Sequence, residues 1–233
     1  MRFTVVGCAG SVPGPDSASS CYLVEQDGYR LLLDLGTGSA GPLQRYCAPE
    51  QVDAVLVSHA HIDHYFDLNA LSYLRQRVGA APLDVYGPAN LPAALRWTDE
   101  ALLRLHTVTP PGPLALGPLA VRLAAVEHGM ESYAYRVGDA LCYTGDTAPC
   151  AELDKLADGC AVLLAEACGY EADSVPRHLS AADAGLLAAR AGARLLVLTH
   201  LRSWLDHDRL LAEAAAVAGC PVVLATPGLR LRA

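Results

Sequence analysis

Short apolar runs separated by glycine, proline and small polar residues predict strands along the first half of the chain. These runs cover residues 3–8, 21–25, 30–34, 54–58 and 83–86. Asp27-Gly28 lies between two of them and is a strong signal for a hairpin turn. Helical spacing of apolar residues predicts helices over 39–46, 68–77 and 91–105. The small residues at 10–20 and the prolines and glycines at 107–118 predict irregular connections.

The second half of the chain repeats this organisation. Apolar runs predict strands at 119–126, 133–137, 140–143, 161–165, 195–199 and 222–225, and helical spacing predicts helices at 181–191 and 209–218. Two blocks that each begin with strands and then alternate strands and helices fit two sheets stacked face to face with helices outside. No linker interrupts the chain. We therefore predict one α/β domain over residues 1–233, built as a four-layer αββα sandwich.

Composition and charge narrow the class of protein. The chain has 233 residues, of which 52% are hydrophobic and 18% are charged, so a sizeable core can form. The formal net charge is −8. Because basic residues that neutralise phosphates supply most of the affinity for nucleic acid, this balance disfavours a long polyanionic partner such as tRNA.

Cysteine usage and the apolar stretches indicate a cytoplasmic protein. The eight cysteines include no C-x-x-C pair, and the N-terminus lacks a basic segment followed by a long apolar one. We expect free, mostly buried thiols and no secretory signal. The most apolar late stretch, 214–229, is too short to span a bilayer and is broken by Gly219, Pro221 and Pro227, so no membrane association is expected.

Four potential metal ligands follow the predicted strand 54–58 within six positions: His59, His61, Asp63 and His64. His59 and His61 are two residues apart, so in extended backbone their side chains point to the same side. Asp63 and His64 come after the chain has begun to turn and approach from another direction. This geometry favours two metals side by side. Imidazole and carboxylate ligands without cysteine are typical of catalytic Zn, Mn or Fe sites.

Three further residues of ligand type each end an apolar strand: His128, Asp146 and His200. Taken alone, His128 or His200 would more often be an ordinary histidine than a ligand, and Asp146 could equally well cap its turn. Taken together with the histidine-rich segment, they indicate a common site at the strand ends, where open α/β sheets bind their ligands. His106 and His207 match no such position, and we interpret them as surface or packing residues.

The pattern His59-x-His61-x-Asp63-His64 resembles the H-x-H-x-D-H signature of the metallo-β-lactamase superfamily, and the later motifs of that family follow in order. The resemblance implies the metallo-β-lactamase fold and two metal ions, zinc first, with Mn or Fe also suited to the ligands. It implies two ligand sets that share one bridging carboxylate: His59, His61 and His128 for one metal, Asp63, His64 and His200 for the other, and Asp146 for both.

Other features resemble one branch of that family. Residues 177–185, which include His178, resemble the His-Ser-Thr-Ala-x-x-Ala stretch of the ribonuclease Z and cyclic-nucleotide phosphodiesterase branch, where the histidine lies beside the scissile phosphate. Residues 7–13 resemble the first loop of the same branch. True β-lactamases usually carry Cys or Ser in place of a bridging Asp146. The Gly- and Lys-rich arm with which ribonuclease Z holds tRNA has no counterpart in this sequence.

These features predict a dinuclear zinc-dependent hydrolase that cleaves a small phosphodiester or nucleotide through a metal-bridging hydroxide, with Asp63 and His178 as catalytic residues. A ribonuclease Z-type endonuclease of tRNA 3′ ends is the first alternative. A thioester or lactone hydrolase on the same fold would not need His178. An iron-dependent persulfide oxygenase would use a single metal, and a metal-binding scaffold would lack turnover. A homodimer is compatible with the family, although no interface is visible in the sequence.

Overall fold

The computed structural model describes residues 1–95 and 99–232, which form two compact units. The first unit comprises Met1–Thr109 and Thr226–Arg232, and the second comprises Pro110–Ala225. Each unit contains a seven-stranded mixed sheet. The assignment of residues 1–233 to a single domain stays a prediction.

In each unit, antiparallel strands come first and alternation of strands with helices follows. The strands are β1 (Arg2–Gly7), β2 (Cys21–Gln26), β3 (Tyr29–Leu33), β4 (Ala54–Leu56), β5 (Leu83–Gly87), β6 (Leu103–Thr107), β7 (Leu114–Leu116), β8 (Leu119–Ala125), β9 (Tyr133–Val137), β10 (Leu141–Tyr143), β11 (Val162–Glu166), β12 (Leu195–Thr199), β13 (Val222–Leu224) and β14 (Arg230–Arg232). The α-helices are α1 (Ala40–Leu43), α2 (Ile62–Tyr65), α3 (Leu68–Arg77), α4 (Leu91–Ala94), α5 (Ala151–Ala157), α6 (Ala181–Ala191) and α7 (His207–Ala215). Short 3-10 helices cover Pro49–Gln51 and Glu100–Leu102.

The sheet of the first unit has the strand order β14-β1-β2-β3-β4-β5-β6. The strands from β14 to β3 pair antiparallel, and those from β3 to β6 pair parallel. The hairpin between β2 and β3 turns at Asp27 and Gly28, whose φ angles are 50° and 84°. Both central residues of a type I′ turn need a positive φ, so the predicted hairpin is confirmed. The carboxyl end of β4 leads directly into the histidine-rich segment.

The sheet of the second unit has the strand order β13-β12-β11-β10-β9-β8-β7. Strands β10 to β13 pair parallel, so their carboxyl ends lie at the same edge of the sheet. That edge carries three of the carboxylate and imidazole side chains discussed below: Asp146, Glu166 and His200. Helices α5, α6 and α7 contribute buried alanine and leucine side chains to the core of this unit.

Helix α6 has well-defined ends that fix the segment before it. The Ser180 side chain accepts a hydrogen bond from the Asp183 N–H, and the Asp183 carboxylate accepts one from the Ser180 N–H. This reciprocal pair is a capping box and satisfies two N–H groups at the start of the helix. The helix ends at Gly192, whose left-handed conformation (φ 61°) satisfies its last carbonyls. His178 therefore lies just before a rigid helix start.

A buried arginine organises the other end of the same sheet. Arg136 on β9 is 2% exposed, and its guanidinium donates to the carbonyls that end helix α5 and to those of the turn after β9. The acceptors are the carbonyl oxygens of Leu156, Ala157, Asp158, Gly138 and Asp139, at 2.9–3.3 Å. A cation is favourable at a helix C-terminus, and these bonds satisfy carbonyls that the helix leaves unpaired.

Most predicted elements are confirmed within one or two residues, but the helix at 91–105 is wrong. Within the described residues of this segment, the α-helix is limited to Leu91–Ala94, and Leu103–Thr107 is a strand that pairs parallel with β5. Residues 96–98 of that predicted helix lie outside the described residues. Leu-Arg-Leu-His-Thr alternates with a period of two, which fits a strand better than a helix. Helix α5 and strands β7 and β14 were not predicted, and the helix at 39–46 is a single turn.

The cysteines agree with the sequence-based prediction. All eight are free thiols, and all but Cys150 and Cys220 are buried. Among the helices of the described residues, none is long and apolar enough to cross a bilayer.

Candidate metal ligands and proton donor

In the first unit, the change from strand to helix after β4 arranges four ligand-type side chains. His59 follows the strand, and His61 is the N-cap of α2, with an extended backbone (φ −88°, ψ 144°). Asp63 and His64 lie inside that helix. The Nε2 atom of His59 is 2.9 Å from Nδ1 of His61, and Nε2 of His64 is 3.5 Å from Oδ2 of Asp63. The chain thus changes from extended backbone to helix between the two pairs.

A buried carboxylate that the sequence analysis missed, Asp34, orients this segment. Oδ2 of Asp34 lies 2.7 Å from Nδ1 of His64 and accepts a hydrogen bond from the Ser58 hydroxyl at 2.7 Å. Oδ1 accepts from the Ser58 N–H at 2.6 Å. A carboxylate on one imidazole nitrogen fixes the ring and its tautomer, which leaves the other nitrogen for a metal. The available signal was the position of Asp34 directly after β3, the parallel neighbour of β4.

Asp63 is held by the first loop of the chain. The Ser11 N–H donates to Oδ2 of Asp63 at 2.9 Å, and Ser11 has a positive φ of 65°. On the other side, a Cβ at Gly36 would overlap the Asp63 carbonyl oxygen. Only glycine therefore permits this close approach of the two backbones. The resemblance of residues 7–13 to a functional loop has a physical basis, because that loop fixes a candidate catalytic carboxylate.

In the second unit, two imidazoles lie around one oxygen of Asp146. Nε2 of His200 is 3.2 Å and Nε2 of His128 is 3.9 Å from Oδ2 of Asp146. Nδ1 of His128 is 3.0 Å from the Arg177 carbonyl oxygen, to which it donates if it carries the ring proton. That contact presents Nε2 of His128 to the carboxylate. His128, Asp146 and His200 are all buried. The structure thus brings together the three predicted ligands of this unit.

His178 belongs to the same group of side chains and contacts a buried glutamate, Glu166, that the sequence analysis missed. Nδ1 of His178 is 2.7 Å from Oε2 of Glu166 and 3.8 Å from Oδ2 of Asp146. Oε1 of Glu166 accepts the Thr147 N–H at 2.5 Å. The side chain of His178 is 14% exposed, whereas that of Glu166 is 1% exposed. The signal for Glu166 was an acidic residue at the end of an otherwise apolar strand.

Burial and a neighbouring negative charge change the acidity of Glu166. Desolvation raises the pKa of this carboxyl well above its ordinary value, and the charge of Asp146 raises it further. The nearby His200 and the Thr147 N–H act in the opposite direction. A buried acid that lies beside both another carboxylate and an imidazole is typical of functional sites.

The donor atoms fit a catalytic metal of borderline hardness. In the first unit the converging donors are imidazole nitrogens and the Asp63 carboxylate, and in the second they are two imidazoles and the Asp146 carboxylate. Such sets suit zinc, manganese or iron and differ from the thiolate-rich sites of structural zinc. One thiol lies near them, since donor atoms of Glu166, Cys168, His178 and His200 are within 4.8 Å of one another.

Comparison with known proteins places these residues in a family context. The profile of the family described as "Beta-lactamase superfamily domain" matches residues 29–201. The probable metallo-hydrolase YhfI of Bacillus subtilis is 31% identical over 240 residues, which cover 98% of each chain. The crystal structure of YhfI matches with a TM-score of 0.92 over 99% of each chain. A Ribonuclease Z of Methanopyrus kandleri is 30% identical over 275 residues, covering 100% of this chain and 97% of the relative.

The likeness confirms two predictions from the sequence. The α/β fold class is that of the metallo-β-lactamase fold, and the branch is the ribonuclease Z-like one. A diphosphatase from the PhnP family shares the fold at 22% identity, with a TM-score of 0.84 over 99% of this chain and 97% of that one. The roles of the individual residues, the identity of the metal and the cytoplasmic location stay predictions.

Proposed function

Since this chain belongs to the beta-lactamase superfamily and is a metallo-hydrolase of its ribonuclease Z-like branch, we propose that it is a two-metal phosphodiesterase acting on a small phosphodiester or nucleotide. The proposal assigns all seven predicted ligands, with zinc as the first choice of metal: His59, His61, Asp63, His64, His128, Asp146 and His200. The donor chemistry in each unit supports this assignment. The buried support of His64 by Asp34 and of His128 by the Arg177 carbonyl is what metal-binding histidines usually have.

The observation that carries the choice of phosphodiester is the contact between Glu166 and His178. The imidazole lies beside Asp146 without being one of the predicted ligands, and the buried Glu166 contacts its Nδ1 at 2.7 Å. A histidine with one nitrogen on a carboxylate can carry a proton on the other nitrogen, which suits a general acid. Hydrolysis of an alkyl phosphodiester needs such an acid because the leaving alkoxide is strongly basic.

In this mechanism, a water molecule attacks the phosphorus atom and loses a proton to Asp63, whose position is fixed by the Ser11 N–H. The bond from phosphorus to the leaving oxygen breaks. His178 donates the proton on its Nε2 to that oxygen, while Glu166 holds its Nδ1. When bound, the two metals would stabilise the negative charge on the phosphate and ease deprotonation of water.

The proposal is tested by the variant His178→Gln on two phosphodiesters that differ in their leaving group. For an alkyl leaving group we expect kcat to fall by about 10²–10⁴-fold, the usual contribution of a general acid. For p-nitrophenolate, which leaves without a proton, we expect a much smaller loss. The exposed His106, on β6, supplies the matched control His106→Gln, which should change neither rate.

Metal content measured on the same samples separates the outcomes. Two metals per chain and selective loss on the alkyl substrate support the assignment. Loss of a metal from His178→Gln would make His178 a ligand and require a new role for His200. Equal rates for wild type and variant on both substrates would contradict the role of His178 as the acid.

A ribonuclease Z-type endonuclease is the second candidate, because the Methanopyrus kandleri relative matches over 97% of its own length. The net charge of −8 argues against it. Binding of a tRNA precursor at physiological salt distinguishes the two. Sub-micromolar affinity with a steep salt dependence would reverse the order of the candidates, whereas hydrolysis of a lactone or thioester in preference to both would exclude them.

A further inference from the structure

An exposed tryptophan follows the predicted ligand His200 on a firmly anchored turn. Trp204 is 58% exposed, although most large apolar side chains of the described residues are buried. The Leu205 N–H donates to the Arg202 carbonyl at 3.1 Å, and Nε2 of His207 lies 2.9 Å from the same oxygen. Leu201, on the other side, is 4% exposed and part of the core. The indole therefore projects from a rigid turn.

Arg202, in the same turn, links this tryptophan to the side chains around His178. Its guanidinium carbon is 5.7 Å from the centroid of the Trp204 ring. Arg202 follows His200 by two residues, and donor atoms of His200, His178 and Cys168 lie within 4.8 Å of one another. The guanidinium beside Trp204 therefore belongs to a residue only two positions from a predicted ligand.

The length of chain between His200 and Trp204 limits their separation. Four residues span at most about 14 Å when fully extended, and the turn shortens this distance. His200 in turn lies 3.2 Å from Asp146. The indole lies within this limit of about 14 Å from His200. With a guanidinium beside it, it can contact a group attached to a phosphodiester bound at Asp146 and His178.

We propose that Trp204 and Arg202 form a binding subsite for the nucleobase of a nucleoside phosphodiester. The base stacks on the exposed indole, as bases stack on aromatic side chains in many nucleotide-binding proteins, and the guanidinium attracts the substrate's negative charge. A single rigid aromatic ring beside one cation matches one planar base and one phosphate. The subsite deepens the proposed phosphodiesterase function and rests on it.

Two substrates with the same leaving group test the subsite. Thymidine 5′-(p-nitrophenyl phosphate) carries a base, and methyl p-nitrophenyl phosphate does not. For Trp204→Ala we expect KM for the thymidine substrate to rise about 5–150-fold, the usual range for loss of one stacked base, and KM for the methyl substrate to stay unchanged. Trp204→Phe should retain most of the affinity. Tyr73 on α3, 59% exposed, supplies the control Tyr73→Ala, which should behave as wild type.

Several results would overturn the subsite. An equal rise in KM for both substrates in Trp204→Ala would show that the indole does not bind the base. A change in oligomeric mass without any change in KM would show that Trp204 contacts a second copy of the chain.

If neither substrate is hydrolysed, the proposed phosphodiesterase function fails, and binding can still be measured. Thymidine 5′-phosphate added to the metal-loaded protein should quench tryptophan fluorescence. The quenching should disappear in Trp204→Phe, in which Trp97 is the remaining tryptophan. Unchanged quenching in that variant would refute the subsite independently of turnover.

Discussion

Replacing Glu166 by glutamine tests whether the buried carboxylate serves the proton donor. The side chain is completely buried and contacts Nδ1 of His178 at 2.7 Å. Glutamine preserves the shape of the side chain and can still accept the Thr147 N–H, which now donates to Oε1 at 2.5 Å. It cannot stabilise a protonated imidazole, because the amide carries no charge. Because the pKa of Glu166 is raised, its carboxylate is charged when it shares one proton with the His178 imidazole. The substitution removes this charge assistance and leaves the packing.

The size of the effect follows from that one contact. A hydrogen bond to a charged group is worth about 1.5–3 kcal/mol, and burial excludes the screening that weakens exposed pairs. Because about 1.4 kcal/mol corresponds to a tenfold change in rate, Glu166→Gln should lower kcat on an alkyl phosphodiester by about 10–150-fold. The same variant should lose much less on a p-nitrophenyl ester, whose leaving group needs no proton.

The assay is steady-state kinetics on both esters, with metal content measured on each sample. Glu213→Gln is the control, since Glu213 belongs to the same unit and pairs with Arg209 at the surface. It should leave both rates unchanged. Equal losses on the two esters would refute the reasoning, because the role of Glu166 would then not depend on protonation of the leaving group. Full activity on the alkyl ester would refute it as well.

Three further substitutions test the supports of the site and the fold. Asp34→Asn should weaken metal binding about 10–100-fold, measured by competition with a chelator, because the carboxylate no longer orients its histidine. Gly36→Ala should lower stability in urea by about 1–3 kcal/mol through backbone overlap, whereas Gly41→Ala, with open space around it, should not. Arg136→Met should cost about 3–5 kcal/mol of unfolding free energy, while the exposed Arg122→Met, its cross-strand neighbour, should stay within about 0.5 kcal/mol of wild type.

The sequence predicts the elements whose pattern is local. Helices α3 and α6 have their predicted bounds, because apolar spacing and the Ser180 cap define them without tertiary context. Strand β6 was missed because its period-two pattern is short and follows a segment of helical spacing. Its pairing with β5 is a tertiary contact that no local rule contains.

The candidate site likewise contains some residues that the sequence predicts and others that only the fold reveals. Ligand-type residues at strand ends are visible in the sequence, since their spacing is the signal. Asp34 and Glu166 cannot be recognised in the sequence, because a single acid beside an apolar strand is common. Only the fold brings each of them to a histidine. The subsite residue Trp204 was overlooked for a related reason. A tryptophan is usually assigned to the core, and its exposure is known only from the structure.

The most direct test of the account is a zinc titration of the metal-free chain, with the rate of phosphodiester hydrolysis measured at each ratio of zinc to protein. If two metal ions were to share Asp146, activity should reach its maximum at two equivalents. It should stay low up to one equivalent if the sites fill one after the other, and rise linearly to two equivalents if they fill together. Asp146→Ala should remain inactive throughout. Maximal hydrolysis at one equivalent, or a fully active Asp146→Ala variant, would contradict the claim that this chain is a two-metal phosphodiesterase.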